Sequence, residues 1–266
     1  MSIVSELLGP EDPAPVIQVQ HSGLSPFVFC CDHAGALVPA SLDGLGLDEV
    51  HLNDHIGVDI GIFAVSSWLS GLMQAPFVAQ PYSRLVIDSN RKPRGMTSIP
   101  EVSDDRRIPG NIGLSEADRM GRESEILMPY QTALSDMLLS RKAALGDWPT
   151  LMAMHSFTRR MQSGDRREVD IGVIYEGENA FGEALRRHLR EGPFEVRHNE
   201  PYRVDLQGDF TVPLQAIAKD VPYVEIEICQ DLIETCSGQR RLASAMRVAM
   251  LAALEDIKTK EGGHDR

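Results

Sequence analysis

The sequence predicts a single α/β domain whose central sheet is mainly parallel and carries helices on both faces. Two observations predict it. Six apolar runs of strand length are bounded by Pro, Gly, Asp or His, and segments of helical period lie between them. Near-continuous apolar runs suit strands buried on both faces. Strands that alternate with helices suit a parallel sheet. With 266 residues, 42% of them hydrophobic, the chain can bury a sizeable core without a disulfide or a structural metal.

The elements follow in chain order. Residues 1–25 are Pro-rich and read as an irregular N-terminal arm, ahead of one α/β domain over 26–260. Strands are expected at Phe27–Cys31, Phe77–Ala79, Leu85–Ile87, Leu151–Met154, Ile171–Tyr175 and Tyr223–Ile228. The segment 55–73, "HIGVDIGIFAVSSWLSGLM", is apolar on most faces and reads as a buried helix. The segment 115–145 opens on Ser115 as an N-cap, with acids in its first turn, and Pro129 should kink or split it. Residues 178–192 end on a glycine, which suits a helix C-cap. Residues 238–260 close the domain, and 261–266 read as a frayed tail. The stretch 89–115 is a long loop rich in Pro and Gly, a length often tied to function.

Charge and cysteine usage exclude several classes. The net charge of −13 disfavours nucleic-acid partners and anionic membranes. Local arginines can still reverse the sign inside a pocket, so a small anionic substrate is compatible. Cys30, Cys31, Cys229 and Cys236 form no CxxC pair, which suggests reduced thiols and a cytoplasmic location. The N-terminus has no basic region and no long apolar run, so no signal peptide or transmembrane helix is expected. No GxSxG elbow or phosphate-binding glycine loop follows a strand.

The strand ends carry the chemistry. "PFVFCCDH" ends in Asp32 and His33, and "LMAMH" ends in His155. One strand-end histidine reads as a solvated or capping group. Two, in a sheet that gathers its carboxyl ends, point to a metal, and imidazoles suit zinc. The third ligand stays open. Asp59, in the apolar "HIGVDIG", needs a partner that a metal or backbone amides could supply. Asp32 competes with it as ligand or as orienter of a histidine. Glu225 and Glu227 alternate with Val224, Ile226 and Ile228, so they share one strand face. Buried, they would have raised pKa values and suit general-base work; on an edge strand they would merely be hydrated. Arg84 and Arg91 bracket the run "RLVIDSNR" and are candidates for carboxylate recognition or for an ion pair with Asp88. From the cluster after His155, Arg167 is a candidate to reach the same pocket.

"DHAGALVP", "YSRLVIDSNR", "MHSFT", "DIGVIY", "NEPYRVD" and "VEIEICQDLI", in this order over roughly residues 27–235, resemble the N-formylglutamate amidohydrolase family. That family looks related to zinc carboxypeptidases and aspartoacylases. The resemblance implies their α/β fold with a mixed central sheet, one zinc ion, and hydrolysis of a small N-acyl amino acid, with a role in histidine degradation. It assigns metal binding to His33 and His155, with Asp59 as the weaker third ligand. It assigns substrate carboxylate binding to Asn90 and Arg91, with Arg84 assisting and Arg167 nearby, and water activation to Glu227 rather than Glu225. Three departures accompany it. Ala36 stands where the relatives' H-x-x-E motif has its acid, Cys229 stands where an arginine follows the late glutamate, and "FTVPLQAIAKD" lacks a histidine. These leave open a divergent substrate, a carboxypeptidase- or aspartoacylase-like reaction, or a metal-dependent binder of acidic amino acids without turnover.

Overall fold

The computed structural model describes residues 6–262. Strands β1 (Ile17–Val19), β2 (Phe27–Cys31) and β3 (Phe77–Ala79) form one half of the sheet. The short helix α1 (Glu49–Leu52) and the helix α2 (Ile62–Met73) connect β2 to β3. A small hairpin, β4 (Val102–Ser103) with β5 (Arg106–Arg107), lies apart from the sheet. Helices α3 (Glu116–Arg122) and α4 (Met128–Leu145) lead into β6 (Thr150–Phe157). Then follow β7 (Ile171–Ile174), α5 (Ala180–Leu189), β8 (Val196–His198), α6 (Thr211–Gln215), β9 (Tyr223–Cys229) and α7 (Cys236–Gly262). The order across the seven-stranded sheet is β1-β3-β2-β6-β9-β7-β8. The pairs β2–β3, β2–β6, β6–β9 and β7–β8 are parallel, while β1–β3 and β7–β9 are antiparallel. The sheet is therefore mixed and mainly parallel.

Each face has its own core. Phe27, Phe29, Cys31, Met154, Ile226 and Ile228 pack against α2, α5 and α7. Val28, Cys30, Leu151 and Ala153 pack against Tyr130, Leu134 and Leu138 of α4 and Val212 of α6. Adjacent Cys30 and Cys31 thus divide between the two faces, as strand alternation requires. No helix among the described residues is long and apolar enough to cross a membrane.

Several elements differ from the sequence pattern, each for a local reason. Ile17–Val19 forms an edge strand inside a stretch whose prolines suggest an irregular arm; the prolines fall outside the three paired residues. The C-terminal helix reaches Gly262, and 263–266 lie outside the described residues. Leu85–Ile87 is buried but is no strand. Asn111 Nδ2 donates to the Leu85 carbonyl and Arg122 to that of Val86, so side chains replace the ladder. The helix expected from residue 55 begins only at Ile62, because Gly61 takes φ +78° and a Cβ there would lie 2.2 Å from the Ile233 carbonyl oxygen. Asp59 is therefore on a turn. Ser115 makes the expected cap, completed by Asp118. Ahead of Pro129 the helix widens into a π turn at Glu123–Leu127, which separates α3 from α4. Helix α5 stops before the glycine at 192, with Arg190 as its C-cap.

His155 lies within β6 rather than beyond it, because pairing with β9 continues to Phe157 and Cys229. It faces the same side as Ala153, past the point where apolar cover from α4 ends. Gly172 of β7 is the register partner of Glu227. A Cβ on Gly172 would lie 2.1 Å from the Glu200 carbonyl oxygen and 3.3 Å from Glu227 Cβ. Gly172→Ala should therefore cost ~1–3 kcal/mol of overpacking and lower Tm by ~3–10 °C, read by calorimetry. An unchanged Tm would refute this constraint on β7.

Candidate active site and metal centre

Three segments converge beyond the carboxyl ends of β2 and β6. His33 follows β2, Asp59 sits on the turn before α2, and His155 comes from β6. The Asp59 N–H donates to the His33 carbonyl at 3.0 Å, and Asp59 Oδ2 accepts from the Ser156 N–H at 3.1 Å. This pins the carboxylate between the two rings. Asp59 Oδ2 lies 3.4 Å from His33 Nδ1 and 3.1 Å from His155 Nδ1. The far ring nitrogens meet other acids: His33 Nε2 donates to Asp88 Oδ1 at 2.8 Å, and His155 Nε2 lies 3.3 Å from Asp32 Oδ2. Asp32 in turn accepts from Thr211 Oγ1 at 2.8 Å.

All of these groups are buried. Burial would raise the Asp59 pKa, but the two imidazoles hold it far below the ordinary carboxylate range. Burial would lower His155, but the neighbouring carboxylates of Asp32 and Asp59 raise it well above its ordinary value. Burial and Arg84 would lower His33, yet Asp88 and Asp59 outweigh them and raise it. In the metal-free protein the acids and the imidazoles thus stabilise one another's charged forms.

The donor set fits a metal ion. One donor atom from each of His33, Asp59 and His155 lies within 4.8 Å of the others. Two imidazoles and one carboxylate are zinc-type donors. The carboxylates on the far ring nitrogens supply the orientation that metal-ligating histidines need. Asp59 supplies the acid that Ala36 does not.

Glu225 and Glu227 project into the same cavity, of about 430 Å³, which also touches His33, Asp59 and His155. Strand β9 is central rather than an edge, so both acids are buried instead of hydrated. Glu227 is the register partner of His155. Burial pushes Glu227 up to about 8 and Glu225 to about 7, against the opposing pull of His155. Each leaves one buried oxygen without a hydrogen-bond partner among the described residues.

The arginines are arranged around this cavity. Arg84 reaches Asp88 Oδ2 at 2.7 Å and Asp59 Oδ1 at 3.3 Å, and Arg91 pairs with Asp209. Asn90 Oδ1 accepts from the Thr211 N–H at 3.0 Å, which leaves its NH2 as the donor for a ligand. Asn90, Arg84 and Arg91 all line the cavity. An adjoining lobe of about 250 Å³ shares Arg84, Arg91, Thr97 and Tyr202 and adds Pro100 and Ser103 from the long loop. Arg167 does not line either lobe. Its guanidinium stacks on Tyr202 and Phe157 and donates to the Thr158 carbonyl, so it backs the wall.

Sequence reasoning missed Tyr202, Arg203 and Asp209 as cavity residues. The first two lie in "NEPYRVD", which was legible as a motif but carried no assigned chemistry. Asp209 had no local signal.

Two buried glutamates that share a cavity with a His–Asp–His group, on an α/β sheet, are a residue set suited to hydrolytic chemistry. The chain belongs to the N-formylglutamate amidohydrolase family, whose model matches residues 25–234. The structure is similar to that of a gene product of Agrobacterium tumefaciens, with TM-score 0.86 and 30% identity over 95% of this chain and 99% of that one. It is also similar to N-formylglutamate amidohydrolase from Ralstonia eutropha JMP134, with TM-score 0.74 and 21% identity over 93% and 100%. No curated protein sequence matches the chain. The protein is a hydrolytic enzyme acting on an amide.

The raised pKa of Glu227 has a sign in stability. In the unfolded chain this acid ionises near 4.5, whereas in the metal-free folded chain it stays protonated up to about 8. The folded state binds the extra proton, so this residue's contribution falls as pH rises from 4.5 to 8. Glu227→Gln removes that loss. It should stabilise the metal-free protein on the order of 2–4 kcal/mol at pH 8 and far less at pH 4.5, read by denaturant titration. A gain independent of pH would refute it.

Proposed function

We propose that the protein is a zinc-dependent amidohydrolase that removes an N-acyl group, formyl foremost, from a small acidic amino acid such as glutamate. The observation that carries this reading is the register pairing of Glu227 with His155, which sets a buried carboxyl with a near-neutral pKa beside the metal-binding group. The same observation favours turnover over a binding protein that has lost it.

His33, Asp59 and His155 would hold one zinc ion, with Asp88 and Asp32 orienting the two rings. Bound there, zinc would polarise the amide carbonyl and acidify a water. Glu227 takes the proton of the attacking water and delivers it to the departing amine nitrogen. Burial holds the Glu227 pKa up, and Asp59 and Glu225, the latter two residues away on the same face, add to the shift. Arg91, with the NH2 of Asn90, holds a substrate carboxylate, and Arg84 stabilises the charge that develops on the carbonyl oxygen. Three buried thiols with no disulfide among the described residues support a reducing, cytoplasmic setting.

Metal analysis and formate release test this reading together. His155→Ala and Asp59→Asn should lose stoichiometric zinc while keeping the wild-type circular dichroism spectrum, and full zinc content in either variant would overturn the ligand set. At equal metal content Glu227→Gln should lose ~10²-fold or more in formate release from N-formyl-L-glutamate, with Glu225→Gln much less affected. The reverse order would reassign the base. Two fully active variants would remove the mechanism.

Arg91→Lys separates binding from structure. A lysine cannot form the bidentate fork, so KM for an acidic substrate should rise ~10-fold or more with kcat little changed. Unchanged kinetics would exclude the role, and an equal loss with an uncharged amide would make Arg91 structural.

A further inference from the structure

Arg203 stands apart from the other cations of the cavity. Arg84 is committed to Asp59 and Asp88, and Arg91 to Asp209. Arg203 lines the same cavity, is exposed, and makes no ion pair among the described residues. The carboxyl groups of Glu225, Glu227, Asp205 and Asp209 also line the cavity, and none of them supplies positive charge. A substrate with two carboxylates therefore needs a guanidinium for each.

The segment that carries Arg203 is fixed. Its neighbour Val204 is buried against the core on the α4 side of the sheet. The Asp205 N–H donates to Asp209 Oδ2 at 2.7 Å, and the other oxygen of Asp209 holds Arg91. One carboxylate thus ties the backbone beside Arg203 to the Arg91 side chain, setting the two guanidinium groups on a common frame.

We infer that Arg203 holds the second carboxylate of a dicarboxylic N-acyl amino acid and is the residue that selects such substrates over monocarboxylic ones. This rests on the amidohydrolase reading above, in which Arg91 holds the first carboxylate. Arg203 takes the place that sequence alone suggested for Arg167. It is a recognition residue, not a catalytic one: the side-chain carboxylate of a glutamate derivative lies away from the amide that breaks.

The experiment compares two isosteric ligands on the purified holoprotein. Binding of N-acetyl-L-glutamate and N-acetyl-L-glutamine is measured by calorimetry for wild type, Arg203→Gln and Arg203→Lys, beside formate release from N-formyl-L-glutamate. Wild type should prefer the glutamate derivative ~10-fold or more, the scale of one charge-assisted contact. Arg203→Gln should lose that preference with affinity for the glutamine derivative unchanged, and Arg203→Lys should retain part of it. The preference should also shrink as salt is raised, since the guanidinium is exposed. No preference in wild type, or an undiminished one in Arg203→Gln, would overturn the assignment. A preference that depends on Arg203 in a wild-type protein releasing no formate would uphold the carboxylate subsite and overturn the deformylase reading instead.

Discussion

The sharing of the Asp59 carboxylate by two imidazoles is the interaction on which the rest of the site depends. A carboxylate 4% exposed cannot remain ionised in an apolar interior unless cations or donors surround it. Here the partners come from segments far apart in sequence. His33 follows β2, and His155 and the Ser156 N–H come from β6, with Arg84 completing the shell at 3.3 Å. Satisfying one carboxylate therefore fixes how β2, the turn before α2, and β6 sit together. The metal-binding geometry is a by-product of that requirement.

A second layer of acids sets the charge balance. Asp88 and Asp32 occupy the outer nitrogens of the two rings, so each imidazole lies between carboxylates. This arrangement raises the pKa of both rings, so each holds its proton more tightly in the metal-free protein. A divalent cation that displaced such protons would have three carboxylates, those of Asp32, Asp59 and Asp88, around its ligands, which would couple metal binding to proton release. Glu225 and Glu227 experience the opposite balance. Their neighbours across the sheet supply too little positive charge to offset burial, so they remain protonated near neutrality. A site with acids held ionised on one side and acids held neutral on the other is organised for proton transfer.

The acid of the relatives' H-x-x-E motif is absent at Ala36. Asp59, 26 residues beyond His33 and carried on a turn that Gly61 permits, is the carboxylate that lies between the two histidines. Cys229, where an arginine was expected, is buried with Phe157 and Val169 rather than exposed to the cavity. The cationic side of the site is instead supplied by Arg84, Arg91 and Arg203.

The sequence by itself determined the fold class, because apolar runs of strand length alternating with helical segments leave few arrangements that bury both sheet faces. It also determined the face shared by Glu225 and Glu227, since strand alternation is strictly local. The strand ends exposed Asp32, His33, His155, Asn90 and Arg91, and the family resemblance attached roles to them. Tertiary structure alone decided the rest. Whether Asp59 or Asp32 stands between the histidines depends on which of them the Ser156 N–H and both Nδ1 atoms reach, and these come from His33, 26 residues before Asp59, and from His155 and Ser156 of β6, 96 and 97 residues after it. Whether the two glutamates are hydrated or buried depends on β9 being central, which its own residues do not encode. Arg167 and Arg203 look alike in sequence. Only the fold turns one onto the back of Tyr202 and the other into the cavity, because side-chain destination is set by neighbours from distant segments and not by local pattern.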